Sequence, residues 1–465
     1  MSDTTPGPDQ QRATKVRPLS GFPELLPAER ILETQLLDIV RETFELHGFA
    51  PLETRAVEPV DRLLGKGGDA DKEIYAVSRL AGRDDEGAGE ARLGLHFDLT
   101  VPFARYVLEN AGRLSFPFRR YQIQKVWRGE RPQEGRYREF TQADIDVVDV
   151  GELAPHFEAE MPLVIAEAFA RMPVGPFRIQ VNNRRIPEGF YRGIGLDDVT
   201  GTLRIVDKLD KIGPGAVAEL LIEAGASEDQ ARQCLALAEI RSEDLSFVDR
   251  VRSLGVDHPT LDEGLEALAA VMRTGMEQAP GVLLADLRIA RGLDYYTGTV
   301  YETQLVGDED WGSVCSGGRY DSLASDGRTT YPGVGISIGF SRLVQLLLTR
   351  RGVTVARSTP SAVLVAVSDE ESRAVSAGVA SALRARGIPC EVAPSAAKFG
   401  KQIRYADRRG IPYVWFPGAG EDGDQVKDIR SGDQVDADPA TWACPAEDLR
   451  PAIVTGGAGG GAGRD

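Results

Sequence analysis

Cysteine is scarce in this chain of 465 residues, and it is badly spaced for chemistry. Cys234, Cys315, Cys390 and Cys444 are separated by more than fifty residues each, and no CxxC pair exists. The four histidines form neither HxxxH nor HExxH. That excludes a disulfide framework and argues against structural zinc, leaving reduced, buried thiols as the expectation. Long apolar runs are missing too: nothing approaches a membrane span, and the opening MSDTTPGPDQQR lacks the apolar core of a secretory signal. The expectation is a cytoplasmic chain without a membrane partner. Positive charge is in deficit, with 54 Lys and Arg against 71 Asp and Glu and a net charge of −17. A protein that coats nucleic acid indiscriminately is thereby excluded, although one local basic face is not. A GxxxxGK[ST] phosphate loop is absent. GAGEDG at 418–423 matches GxGxxG, but its two acidic residues would repel a pyrophosphate and the following DQVKDIRSGDQ does not open a helix. Any ATP must therefore be held on another scaffold.

What is present is an ordinary soluble composition, 42% apolar and 27% charged, at a length that predicts two to four domains. Residues 1–20 read as a disordered polar tail, and 456–465, rich in glycine, as a second. From 21 to 196 helix and strand patterns mix. AERILETQLLDIVRETFELHG spaces its apolar residues by three and four. LGLHFDLTVPFARYVLEN reads as strand then helix, and RRYQIQKVWRGE and REFTQADIDVVD as two strands joined by the charged loop RGERPQEGRYR. Residues 197–280 are helical in texture, an insertion within the mixed domain, which resumes over 281–350. A linker at 351–360 precedes 361–455, where SAVLVAVSD, PCEVA and IPYVWFP alternate with two helical stretches and predict a small α/β domain with a largely parallel sheet.

The chemistry concentrates in ARGLDYYTGTVYE, residues 290–302, which spends an arginine, an aspartate and three tyrosines where a core strand would place apolar groups. Tyr296, Gly298 and Val300 fall on one side of the alternation, and Thr297, Thr299 and Tyr301 on the other. Arg128, Arg136, Arg291 and Arg342 each sit at a strand end, in the charged hairpin or at a glycine-flanked turn. Singly each fits a surface ion pair. Together their forks can grip a triphosphate that no glycine loop cradles.

These blocks resemble the class II aminoacyl-tRNA synthetases, and among them the histidyl-tRNA synthetase family. GFPELLPAERILETQLLDIV is similar to the first motif, VWRGERPQEGRYREFTQADID to the second and VGISIGFSRL to the third. LHFDLT, RGLDYYTG and CSGGRYD resemble blocks particular to the histidyl enzymes. The resemblance runs from about residue 21 to 455. It implies an antiparallel sheet with flanking helices, a helical insertion and a C-terminal α/β anticodon-binding domain.

The resemblance also implies roles. Arg128 and Arg291 would contact the ATP α-phosphate from either side as the catalytic pair, and Arg291 would also lie against the histidine. Arg136 and Arg342 would hold the outer phosphates, and Phe140 would stack on adenine with Glu130 near its edge. Asp98, Thr100 and Gln142 would hold the amino group of histidine. Asp146 and Tyr296 would meet the two imidazole nitrogens, with Tyr295 and Tyr320 lining the pocket. The activity implied is attachment of L-histidine to tRNA(His) through histidyl-adenylate, with ATP and Mg²⁺, by a homodimer. Lys398, Lys401, Arg404 and Arg408 would share one helical face toward the tRNA. The competing reading is a catalytically idle, histidine-sensing relative, such as a regulatory subunit of ATP phosphoribosyltransferase, which normally lacks the C-terminal domain. Four positions depart from the family pattern: Ala56 stands where proline is usual, Ser341 where an acidic residue is, His96 where arginine is, and Asp146 is shorter than glutamate.

Overall fold

The computed structural model describes residues 16–64, 73–79, 92–289, 295–420 and 423–456. In chain order the first half contains α1 (Pro27–Leu46), β1 (Ala50–Pro51), β2 (Val57–Pro59), α2 (Val60–Leu63), β3 (Ala76–Val77), β4 (Leu93–Leu95), α3 (Thr100–Asn110), β5 (Phe118–Trp127), β6 (Glu139–Val148), α4 (His156–Ala170), β7 (Phe177–Asn183) and α5 (Arg185–Gly193). There follow α6 (Val199–Val206), α7 (Leu209–Glu223), α8 (Glu228–Ala238), β8 (Arg241–Ser242), α9 (Ser246–Arg252) and α10 (Pro259–Gln278). The sheet resumes with β9 (Leu283–Asp286), β10 (Thr299–Leu305), β11 (Cys315–Tyr320) and β12 (Gly333–Ile338), and α11 (Phe340–Thr349) follows.

One sheet organises this part, in the order β1-β5-β6-β12-β11-β10-β7-β9-β8. Its ladders are antiparallel except at β1–β5 and β7–β9. Period two gives it unlike faces. Ala143, Ile145 and Val147 of β6 point into the main core with Tyr121 of β5 and Val334, Ile336 and Ile338 of β12. Helix α1 covers that face with Leu32, Leu36, Val40 and Phe44, one residue every four, all buried. Burying each such side chain contributes ~1.5–3 kcal/mol. The opposite face is polar and carries the site.

Helices α5 to α10, with the short β8, occupy the stretch between β7 and β9. Beyond α11 come β13 (Thr354–Val355), β14 (Val363–Val365), α12 (Arg373–Ala385), β15 (Cys390–Val392), α13 (Phe399–Arg409), β16 (Tyr413–Phe416), β17 (Asp424–Asp428), β18 (Gln434–Ala437) and β19 (Ile453–Val454). Strands β15, β14 and β16 run parallel, as the alternation predicts. Antiparallel β17 and β18 extend this sheet. The decoy GAGEDG is thus followed by a strand, which bears out its rejection as a dinucleotide fingerprint. The segment read as a linker contains β13, which pairs with β19. Among the described residues, no helix is long and apolar enough to cross a membrane.

Candidate active site

The site begins with the ladder between β5 and β6. Arg120, Gln122 and Gln124 lie opposite Asp146, Asp144 and Gln142 on the polar face. The next ladder sets Gly335 against Asp146 and Ser337 against Asp144. Glycine matters here for space. A Cβ on Gly335 would stand 2.1 Å from Asp146 Oδ1, and one on Gly333 would stand 2.6 Å from the Tyr320 ring. Each missing side chain makes room for a functional one.

Two clusters form on this floor. In the first, Tyr320 donates to Asp146 Oδ1 at 2.8 Å, and Arg120 Nη2 stands 2.6 Å from Asp146 Oδ2. Tyr295 donates to Asp98 Oδ2 at 3.2 Å, and Asp98 Oδ1 accepts from the Val101 amide at 3.1 Å, next to Thr100 at the start of α3. The rings of Tyr295 and Tyr296 lie 5.0 Å apart edge to face, and those of Tyr295 and Tyr320 6.1 Å apart. Burial pushes the carboxyls of Asp98 and Asp146 up to about 6, and the arginines partly restrain both. Asp144 is driven to about 7 by burial, against the pull of Arg120. Burial and the adjacent Asp146 hold the Tyr296 hydroxyl well above its ordinary range, so it is a neutral donor and acceptor. Such a pocket suits a cationic ligand that brings its own hydrogen bonds.

The second cluster is a cleft of about 240 Å³ that brings together Arg128, Glu130, Arg136, Phe140, Gln142 and Arg342. The guanidinium of Arg128 stands 5.2 Å from the Phe140 ring centroid, and its Nε donates to the Phe97 carbonyl at 3.0 Å, beside Asp98. Glu130 lies 3.9 Å from Arg128 and 3.8 Å from Arg136. Arg342 donates to the Trp311 carbonyl, and burial together with the like charge of Arg136 lowers it to about 10. Clustered guanidiniums with one carboxylate between them match a polyanion. Gln142 joins the two clusters through Ser337, which lies opposite Asp144: it lines the cleft, donates to Ser337 Oγ at 2.8 Å and leaves Oε1 buried without a partner among the described residues.

The structure thus gathers the predicted histidine and ATP residues into two adjoining groups, except Arg291, which lies outside the described residues. Lys398, Lys401, Arg404 and Arg408 lie far along the chain, all exposed; Lys398 immediately precedes α13 and the other three lie on it. The polar stretch 295–302 divides its work. Thr299 Oγ1 donates to Glu158, and Tyr301 donates to the Glu158 carbonyl at 2.5 Å, so that side of the alternation is structural. Of the departures from the family pattern, Ser341 accepts the Thr141 amide at 2.9 Å and ties α11 to β6. His96 stacks on Trp127 and donates Nε2–H to the Lys125 carbonyl at 2.8 Å, while burial lowers its pKa, so it is a neutral structural group. Arg120 and Asp144 escaped the sequence reading. The signal was there in RRYQIQ and QADID, where polar residues recur at every second position on two paired strands.

A mostly antiparallel sheet bearing an arginine-lined cleft beside a carboxylate pocket, followed by a separate α/β unit, is the plan of a class II aminoacyl-tRNA synthetase. A family model described as histidyl-tRNA synthetase matches residues 21–343, and one described as anticodon binding domain matches 361–439. Over 449 residues the chain is 61% identical to the histidine–tRNA ligase of Micrococcus luteus, covering 94% of this chain and 98% of the relative. It is 60% identical over 450 residues to that of Cutibacterium acnes, covering 95% and 99%. The crystal structure of histidyl-tRNA synthetase from Nostoc sp. PCC 7120 superposes with a TM-score of 0.81 at 35% identity, over 91% of this chain and 97% of that one. The chain belongs to the histidyl-tRNA synthetase family.

Proposed function

We propose that the chain joins histidine to its cognate tRNA in two steps at the polar face of the sheet. The observation that carries this is the adjacency of the two clusters through Gln142, which sets an amino-acid pocket against a phosphate cleft. Histidine enters with its ammonium toward Asp98, Thr100 and Gln142, and its imidazole between Asp146 and Tyr296. Tyr295 and Tyr320 complete the walls. Hydrogen bonds to both ring nitrogens discriminate by ~10⁴-fold or more against amino acids that lack them, because those would leave buried polar groups unpaired.

ATP stacks its adenine on Phe140, with Glu130 near the base edge and Arg136 and Arg342 on the outer phosphates. The carboxylate of histidine, already ionised, attacks the α-phosphorus; the new P–O bond forms as the bond to pyrophosphate breaks. Arg128 and Arg291 stabilise the charge that gathers on the α-phosphoryl oxygens, by positioning and electrostatics instead of proton transfer. The terminal adenosine hydroxyl of tRNA then attacks the activated carbonyl and AMP leaves. Mg²⁺ would come with the ATP and would add positive charge at its phosphates; among the described residues no cluster of His, Cys, Asp or Glu forms a separate site for it, and Glu130 is a carboxylate that lines the cleft.

The basic face of α13 meets tRNA phosphates, the protein works as a homodimer in the cytoplasm, and the chain divides at the boundaries set out from the sequence. Support for the dimer is the resemblance of the first motif. The idle, histidine-sensing reading is not favoured: the cleft keeps its arginines, and the anticodon-binding unit is present. ATP–pyrophosphate exchange across all twenty amino acids tests the proposal. Exchange with histidine alone is expected; exchange with none, or with another amino acid, would refute it.

A further inference from the structure

Arg120 is the residue on the polar face that packing explains least. Its side chain is fully buried on β5, where an aliphatic group would be the default for a strand position against the Phe103 ring, 4.5 Å from the guanidinium. Burying a guanidinium is costly unless it is paired. Its Nη2 stands 2.6 Å from Asp146 Oδ2 and donates to the Leu99 carbonyl at 3.3 Å, while Nε and Nη1 are buried without hydrogen-bond partners among the described residues. Around it three carboxylates, Asp98, Asp144 and Asp146, are each no more than 3% exposed. Arg120 offsets the charge of all three electrostatically. Tyr320 holds the other oxygen of Asp146, so the carboxylate is gripped from both ends. Asp146 Oδ2 accepts no hydrogen bond among the described residues, and Oδ1 keeps a second lone pair, so the carboxylate can accept an incoming N–H.

We infer that Arg120 is a positioning residue for histidine selection, fixing the orientation and the charge of Asp146 so that this carboxylate accepts the imidazole N–H. The inference rests on the reading that Asp146 is the imidazole partner. Arg120 touches no substrate; it acts through Asp146. Removing it frees the carboxylate to rotate about Tyr320 and to take up a proton from solvent, which burial and the negative charge of Asp98 favour once Arg120 is gone. The phosphate cleft, built on other side chains, is left as it was.

Exchange kinetics of Arg120→Met, Arg120→Lys, Asp146→Asn and the Arg120→Met/Asp146→Asn double variant test this. Arg120→Met is expected to raise the histidine KM by about 10- to 100-fold, the scale of one charge-assisted hydrogen bond, with the ATP KM unchanged. Arg120→Lys should recover part of the loss, since an ammonium restores the charge but not the fork. The double variant should lose little more than Asp146→Asn alone, because both changes act through one contact. A parent histidine KM in Arg120→Met, or additive losses in the double variant, would overturn the inference, as would an equal rise in both KM values. If the methionine variant does not fold, the lysine variant decides alone: a raised histidine KM with a parent ATP KM supports the inference, and parent values for both overturn it. An Asp146→Asn variant with a parent histidine KM would instead remove the underlying reading of Asp146.

Discussion

Gly335→Ala probes the geometry of the histidine pocket without replacing any residue proposed to contact histidine. Gly335 lies opposite Asp146 in the β6–β12 ladder, and its φ is not positive, so alanine adds no backbone strain. The added methyl would meet Asp146 Oδ1 at 2.1 Å and Cγ at 2.6 Å, so the carboxylate must move. Reaching ordinary contact takes a retreat of about 1.4 Å. That stretches the 2.8 Å bond from Tyr320 beyond hydrogen-bonding range. One hydrogen bond to a charged group is worth ~1.5–3 kcal/mol, or ~10- to 10²-fold in histidine affinity at 1.36 kcal/mol per decade. Overpacking the sheet costs a further ~1–3 kcal/mol of stability. Calorimetric titration with histidine and with ATP, beside a thermal melt, separates the effects. The expected result is weakened histidine binding, parent ATP binding and a lowered Tm. Parent histidine affinity, or equal loss of both ligands, would refute the reasoning.

Arg291→Ala should lower kcat in exchange by ~10²-fold or more, the scale for one preorganised charge donor, with histidine KM nearly unchanged; Arg291→Lys should rescue only part. An alanine variant with full exchange activity would sink that assignment. Asp144→Asn should stabilise the free protein more at pH 8 than at pH 5.5. Burial raises this carboxyl to about 7, so the fold favours its protonated form, and the ionised form costs stability as pH rises through that value. Urea denaturation at the two pH values checks the sign, and destabilisation at pH 8 would contradict it. Neutralising Lys401 and Arg404 together should raise the KM for tRNA and reduce its salt dependence by roughly one unit of slope per lost contact, leaving exchange untouched. Normal charging at every salt concentration would make α13 a solvated face. Light scattering should return twice the 50.3 kDa of one chain, and a single-chain mass at micromolar concentration would count against the dimer.

Elements with strong local periodicity were legible in the sequence. Helix α1 announces itself by its one-in-four apolar spacing, and β14, β15 and β16 by short apolar runs between helices. The pairing of β13 with β19 was not legible, because residues about a hundred positions apart carry only two-residue strands. In the site, the arginines stood out for their turns and strand ends. Arg120 and Asp144 did not, because alternating polar residues on a strand read as a solvent-facing side. Here α3 and the tyrosines cover that side, and the polar face is buried. Likewise Thr299 and Tyr301 look like ligand-binding groups until the structure places Glu158 beneath them. Sequence shows which groups need partners, but only the fold decides between a neighbour and a ligand.

The most direct test of the whole account is aminoacylation of unfractionated tRNA with each labelled amino acid in the presence of ATP. Label should enter tRNA with histidine and no other amino acid, and only in tRNA(His). Histidine-dependent pyrophosphate exchange without any transfer of histidine to tRNA would contradict it.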